Sequence, residues 1–222
     1  MGYYYSQSLA GKRLERCYQI APPRVVQYFE SEIRFVNTHI GQGSSVLELG
    51  SGYGRALSQF GNNTQRIIGI DIAMESLELA KQKMRCEIEM IQANAINLPF
   101  QNKSFDVVIC IQNGISAFKE DPHHLILESL RVTRPGGVSL FSTYSEKFWE
   151  DRLEWFSLQA NVGLLGEIDY EKTGNGVIIC KDGFKAITFT EKDFDEISST
   201  LGLRTVISEV DESSLFCKFY TD

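Results

Sequence analysis

The chain reads as an α/β domain: a doubly wound, mostly parallel sheet with helices on both faces and an antiparallel C-terminal strand. Three observations predict it. Short apolar runs alternate with amphipathic stretches from residue 44 to residue 144, the rhythm of strands joined by crossover helices. Three glycines crowd one strand end in VLELGSGYGR, residues 46–55, where the backbone must turn tightly or approach something closely. The last two apolar runs, RTVISEV and SLFCKFY, are joined only by Asp211-Glu212-Ser213. That connection is too short for a parallel crossover, so the two runs pair antiparallel.

Taken in order, residues 1–41 predict N-terminal helices that form a lid. Residues 7–19 and 23–41 are two helices parted by Ala21-Pro22-Pro23. Pro23 suits a first helical turn, and Val26, Phe29, Ile33 and Val36 share one stripe at helical spacing. Residues 44–144 form the cofactor-binding core. Strands are predicted at 44–50, 66–72, 87–93, 104–111 and 138–144. The run at 104–111 is apolar enough to be buried on both faces. Helices fill 54–61, 73–84 (Leu77, Leu79 and Ala80 inward) and 120–133, and Arg134-Pro135-Gly136-Gly137 is a turn. Ligands of such a sheet lie beyond the carboxyl ends of its strands. Residues 145–190 are a substrate-side insertion. Within it, 166–190 alternates like strands, with turn signals at Gly174-Asn175-Gly176 and Asp182-Gly183, and predicts a small antiparallel β insertion over one end of the sheet. A helix at 191–203 and the two closing strands complete a single domain, 1–222.

Composition narrows the classes. The 222 residues are 43% hydrophobic, 23% charged and 11% aromatic, with a net charge of −7. These values suit a globular protein with a sizeable core and argue against a broad basic face for nucleic acid or anionic lipid. The five cysteines, Cys17, Cys86, Cys110, Cys180 and Cys217, are dispersed and form no CxxC pair, so neither a disulfide framework nor a zinc site is indicated. The last four sit in or beside apolar runs and read as small buried hydrophobes. The N-terminus lacks the apolar core of a signal peptide, and no apolar run reaches membrane-spanning length. The expected setting is cytoplasmic and reducing.

A strand, a glycine turn and a helix start can hold several nucleotide-like ligands. Asp71 stands 21 positions after Gly50, at the end of the second strand, where a carboxylate can accept both hydroxyls of a ribose. A nicotinamide cofactor would share these features, so the details decide. The dinucleotide fingerprint is G-x-G-x-x-G. Here Gly50 and Gly52 are followed by Gly54, and the third fingerprint position is Arg55. Glu48 precedes the loop on its strand. An acid there opposes a pyrophosphate but suits a ligand carrying an ammonium and a sulfonium. The balance favours S-adenosylmethionine over NAD.

With these residues in view, 44–144 resembles the class I S-adenosylmethionine-dependent methyltransferases, with a Rossmann-like sheet. Glu48-Leu49-Gly50-Ser51-Gly52-Tyr53-Gly54 is similar to the family's first motif. Gly69-Ile70-Asp71-Ile72 is similar to its second, which implies that Asp71 binds ribose and Ile72 packs on adenine. Ala93–Phe100 resembles the adenine-capping segment, with Asn94 where the family usually has Asp and Ala95 beside it. Ser104–Val108 and Arg131–Gly137 match the fourth strand and the turn before the fifth. The resemblance also places Gln112 and Asn113 beside the methionine part of the cofactor and Arg24 on its carboxylate. The closing antiparallel pair matches the family's reversed seventh strand.

Methyl transfer from a sulfonium is an in-line displacement that needs positioning and dryness more than a fixed catalytic triad, and no triad is visible. No catalytic residue and no metal ligands are assigned. His123 and His124 are adjacent on a helix and diverge, which makes a poor metal pair, and His39 reads as structural. Substrate determinants are expected from Tyr3-Tyr4-Tyr5, Tyr18, Tyr28 and the stretch Tyr144 to Trp149, including Phe148. Lys12, Arg13 and Arg16 read as a solvated helix face. The expected partner is a small-molecule methyl acceptor, without nucleic acid or membrane, for a monomer or homodimer. Two alternatives remain at this level: an NAD(P)-dependent oxidoreductase and a non-catalytic S-adenosylmethionine-binding module.

Overall fold

The computed structural model describes residues 3–60, 64–84 and 88–221. In chain order the elements are α1 (Tyr3–Gln7), α2 (Gly11–Gln19), α3 (Pro23–Asn37), β1 (Ser45–Leu49), β2 (Arg66–Asp71), α4 (Met74–Lys83), β3 (Ile88–Gln92) and β4 (Phe105–Cys110). They continue as α5 (Gly114–Ala117), α6 (Pro122–Val132), β5 (Thr133–Tyr144), α7 (Trp149–Asn161), β6 (Ile178–Ile179), β7 (Lys185–Ala186), α8 (Glu191–Leu201), β8 (Thr205–Val210) and β9 (Ser214–Tyr220). Single 3-10 turns occupy Leu57–Gln59 and Glu146–Phe148.

Seven strands form one sheet in the order β3-β2-β1-β4-β5-β9-β8, and β6 with β7 forms a second, two-stranded sheet. β1 to β5 pair in parallel, whereas β9 runs antiparallel between β5 and β8. The expected doubly wound sheet with its reversed strand and small antiparallel insertion is therefore present. Side chains alternate across the sheet. Leu47, Leu49, Ile68, Ile70, Val108 and Phe141 enter one apolar layer with Ile126 of α6 and Phe194 of α8. Val46, Ile67, Val107, Ile109 and Leu140 enter the opposite layer with Ile33 and Val36 of α3. A third cluster, built on Tyr28, Phe29, Tyr144, Phe148, Trp155, Phe156 and Phe184, caps the sheet end with α2, α7 and the β6–β7 insertion.

The last helix is set by local chemistry. Thr190 and Asp193 form a reciprocal capping box at the start of α8, and Gly202 ends it in the left-handed region at φ +65°.

Several sequence expectations shift. The helix expected at 7–19 breaks at Ser8–Ala10 into α1 and α2. On α3 the inward face runs through Val25, Tyr28, Phe29, Glu32, Ile33 and Val36, while Val26 is 39% exposed. The helix expected at 54–61 is only a 3-10 turn over Leu57–Gln59. Arg134–Gly137 joins β5 as an irregular extension rather than a separate turn, with the register slipping between Phe105 and Val107. The thirteen-residue α7 was not foreseen. Of the cysteines expected inside, Cys110, Cys180 and Cys217 are buried free thiols, and Cys17, for which no such expectation was made, is buried as well; Cys86 lies outside the described residues. No helix among the described residues is long and apolar enough to cross a membrane.

Candidate active site

The glycine loop leaves β1 and folds back on β2. Ser51 N–H donates to the Ile70 carbonyl at 2.9 Å and Gly52 N–H to Asp71 Oδ2 at 2.9 Å. Gly54 N–H donates to the Ser51 carbonyl at 2.9 Å. Gly69 permits this approach: a Cβ there would stand 2.5 Å from Leu57 and 2.6 Å from Ser51 Oγ. With these three donors engaged inside the protein, the loop is poorly equipped to cradle a pyrophosphate, which needs free N–H groups.

Around the loop opens a cavity of about 190 Å³ at the carboxyl ends of β1, β2 and β4. Its floor includes Glu48, Gly50, Ser51, Gly52, Asp71, Ile72, Asn94, Gln112 and Asn113. Nine of the twelve residues expected at the cofactor site therefore share one cavity. Gly54 and Ala95 stand behind it: Gly54 at φ +79° under Met84, Ala95 in the core at 1% exposure. Arg24 is the departure. Its guanidinium binds Asp211 Oδ2 and the Asp211 carbonyl, both at 2.7 Å, and lies 5.1 Å from the Phe148 ring centroid. Asp211 sits in the β8–β9 turn, so Arg24 ties α3 to that hairpin and is no part of the cavity wall. Spacing could not reveal this, because the competing acid is 187 residues away.

Arg55 occupies the wall instead. Its Cζ lies 4.6 Å from the Tyr18 ring centroid and 4.5 Å from that of Phe29, and its Nε and one terminal nitrogen are buried without a hydrogen-bond partner among the described residues. Facing it electrostatically is Glu48, whose Oε2 is likewise buried and unpartnered. Burial pushes the Glu48 carboxyl up to about 8; Asp71 and Glu32 add to the rise and Arg55 opposes it. An orphaned carboxylate and an orphaned guanidinium beside one cavity form a donor–acceptor set that fits a zwitterionic amino-acid group.

Glu32, which no sequence signal singled out, braces the same end. It is fully buried on α3, where its Oε2 accepts from Gln112 N–H at 2.9 Å and its Oε1 from Ser214 Oγ at 2.9 Å. Burial outweighs these donors and raises its carboxyl to about 7. Gln112 and Asn113 both adopt left-handed backbone, at φ +57° and +59°, a conformation costly for such residues unless their surroundings hold it. Gln112 is held by Glu32, by Ser142 Oγ and by the Tyr18 hydroxyl, which donates to its Oε1 at 3.0 Å. Asn113 is held by the Ile187 carbonyl and by Thr143 Oγ1. Asp71 accepts from Gly52 and Ala73 N–H, yet burial still raises its carboxyl.

The far end of the cavity is aromatic. Tyr5, Tyr18, Tyr144, Trp155, Phe156 and Phe184 line it together with Gln159. Tyr5, Tyr18 and Tyr144 were expected there, whereas Tyr28 and Phe148 are wholly buried core residues that do not line it. Tyr4 binds Asp182 at 2.6 Å, and nothing is described of the Tyr3 side chain. α2 roofs the site: Trp155 Nε1 donates to the Cys17 carbonyl at 2.9 Å, and Leu14 crowds Gly52. Trp155 and Gln159 were missed because α7 was; Trp149, Leu153, Phe156 and Ala160 stand at helical spacing, a signal that could have found it.

Comparison with known proteins agrees with this geometry. A methyltransferase domain model matches residues 47–141. An uncharacterised protein of Methanocaldococcus jannaschii is 28% identical over 76% of this chain and 78% of its own length. The demethylmenaquinone methyltransferase of Lactococcus lactis is 38% identical over 43% of this chain, and the match spans only 40% of that enzyme. A SAM-dependent methyltransferase from Aquifex aeolicus superposes with a TM-score of 0.62 at 16% identity, over 92% of this chain and 96% of its own. Residues 47–141 match a methyltransferase domain, and the chain as a whole has the fold of the class I S-adenosylmethionine-dependent methyltransferases.

Proposed function

We propose that this chain transfers a methyl group from S-adenosylmethionine to a small-molecule acceptor. The observation that carries the reading is the single cavity that joins Glu48, Asp71 and the glycine loop at one end to an aromatic chamber at the other. When bound, S-adenosylmethionine supplies a methyl group already activated on a sulfonium. The protein's part is to hold donor and acceptor together and exclude water.

In this reading Asp71 accepts the ribose hydroxyls and Ile72, 40% exposed at the cavity edge, covers the adenine. Asn94 Oδ1 already accepts from Ile96 N–H at 3.2 Å, and its second lone pair meets the adenine amino group. Glu48 takes the ammonium, while Gln112 and Asn113 border the methionine chain. Arg55, rather than Arg24, takes the carboxylate. α1 and α2 close over the site as a lid. The buried free thiols fit a reducing, cytoplasmic setting.

A folded-state ligand raises stability by about 2.7 kcal/mol at a hundredfold excess over Kd. S-adenosylhomocysteine should therefore raise the melting temperature and NADH should not. Asp71→Ala should weaken S-adenosylhomocysteine roughly ten- to several-hundred-fold, from the loss of charged hydrogen bonds. A stabilisation by NADH alone, or an unchanged affinity in Asp71→Ala measured by calorimetry, refutes the assignment.

A further inference from the structure

The acceptor end of the cavity has a chemistry of its own. Trp155 and Phe156 (ring centroids 5.6 Å apart) and Phe156 and Phe184 (5.7 Å apart) make a continuous ring wall. Tyr18 lies 6.1 Å from Trp155 on the lid side. Hydrogen bonds from Tyr18 to Gln112 and from Trp155 to Cys17 fix the orientation of two of these rings. Beside the tyrosine hydroxyls, a side-chain amide lines this end: Gln159, 3% exposed, whose Nε2 has no hydrogen-bond partner among the described residues. An unsatisfied buried amide is costly, and a ligand atom that completes it recovers that cost.

The charges nearby sort the ligands further. Arg152, 1% exposed, places its Cζ 4.3 Å from the Tyr144 ring centroid and 5.6 Å from that of Phe156. It is locked there by the carbonyls of Gly176 and Ala186 and by Thr188 Oγ1. Arg55 does the same for Tyr18 at 4.6 Å. Tyr18, Tyr144 and Phe156 already carry guanidinium groups, and a third cation beside them and a sulfonium would be repelled.

Resting on the methyltransferase reading above, we infer that the acceptor is a flat, uncharged or anionic aromatic molecule bearing an oxygen, stacked among these rings and held through that oxygen by Gln159. Methylation of a hydroxyl on it would form an oxygen–carbon bond and break the carbon–sulfur bond. That electron pair goes to sulfur, and the hydroxyl proton goes to solvent.

The test is calorimetry with 1-naphthol, tryptamine and cyclohexanol, with and without saturating S-adenosylhomocysteine. 1-Naphthol should bind at least tenfold more tightly than the cationic tryptamine or the non-planar cyclohexanol. Gln159→Leu and Gln159→Met should each weaken 1-naphthol about five- to tenfold, the loss of one net hydrogen bond, and leave S-adenosylhomocysteine affinity unchanged. No binding of 1-naphthol, equal or tighter binding of either other probe, or full affinity in both variants overturns the inference. Failure of S-adenosylhomocysteine to bind refutes the cofactor reading separately, because the naphthol titration without it still decides the acceptor class.

Discussion

Replacing Glu48 by Gln tests how the cavity uses its buried acid. Glu48 is 5% exposed, and its carboxyl titrates near 8, mainly because burial penalises the charge. An ammonium placed against Oε2 would stabilise the carboxylate and lower that value well below neutrality. Binding below pH 8 must then release a proton, and affinity must fall as pH falls. With a free value of about 8 and a bound value under about 5, the loss between pH 8 and pH 6 is about 50-fold. Glu48→Gln lacks this proton, and the ligand's own amine titrates identically in both proteins. The ratio of the two dissociation constants therefore isolates Glu48. Calorimetry with S-adenosylhomocysteine at pH 6, 7 and 8, in two buffers of different ionisation enthalpy, measures both the ratio and the proton released. The free protein should respond in the matching sense. Because the folded-state value lies above the ordinary one, the folded state binds the extra proton between about pH 4.5 and 8. Its stability contribution is present below that interval and is lost as pH rises through it, so Glu48→Gln should show a flatter decline. Parallel pH profiles of affinity in wild type and variant would refute the argument.

Arg24→Ala should cost only about 1 kcal/mol of stability, because the Arg24–Asp211 pair is partly exposed. It should leave S-adenosylhomocysteine affinity within about twofold, since no cofactor contact is lost; a tenfold loss of affinity would return Arg24 to the cofactor site. The lid reading predicts that trypsin cuts after Lys12, Arg13 or Arg16 more slowly when S-adenosylhomocysteine is bound, by protecting a segment that opens locally. Here Arg13 is already engaged with the carbonyls of Ser8, Gly163 and Leu164. Equal cleavage with and without ligand, together with full activity in a chain starting at Ala21, would remove the lid from the mechanism.

What sequence alone determined is what short-range pattern controls. Alternation and turn residues set the strands, their order of appearance and the antiparallel close, because a connection of three residues leaves no other pairing for β8 and β9. Glu48, the glycines and Asp71 were legible for the same reason. Their spacing puts them at the ends of adjacent parallel strands, where register brings Glu48 opposite Gly69 and the loop onto Asp71. The tertiary structure decided everything that depends on partners distant in the chain. Arg24 is drawn to Asp211 and Arg55 is left facing Glu48; Glu32 braces Gln112 from a helix 80 residues earlier. Trp155, Gln159 and Arg152 reach the aromatic end only because α7 packs under α2 and the β6–β7 insertion. Side chains of one type compete for the same charges and the same apolar space, and only the packed chain shows which of them wins.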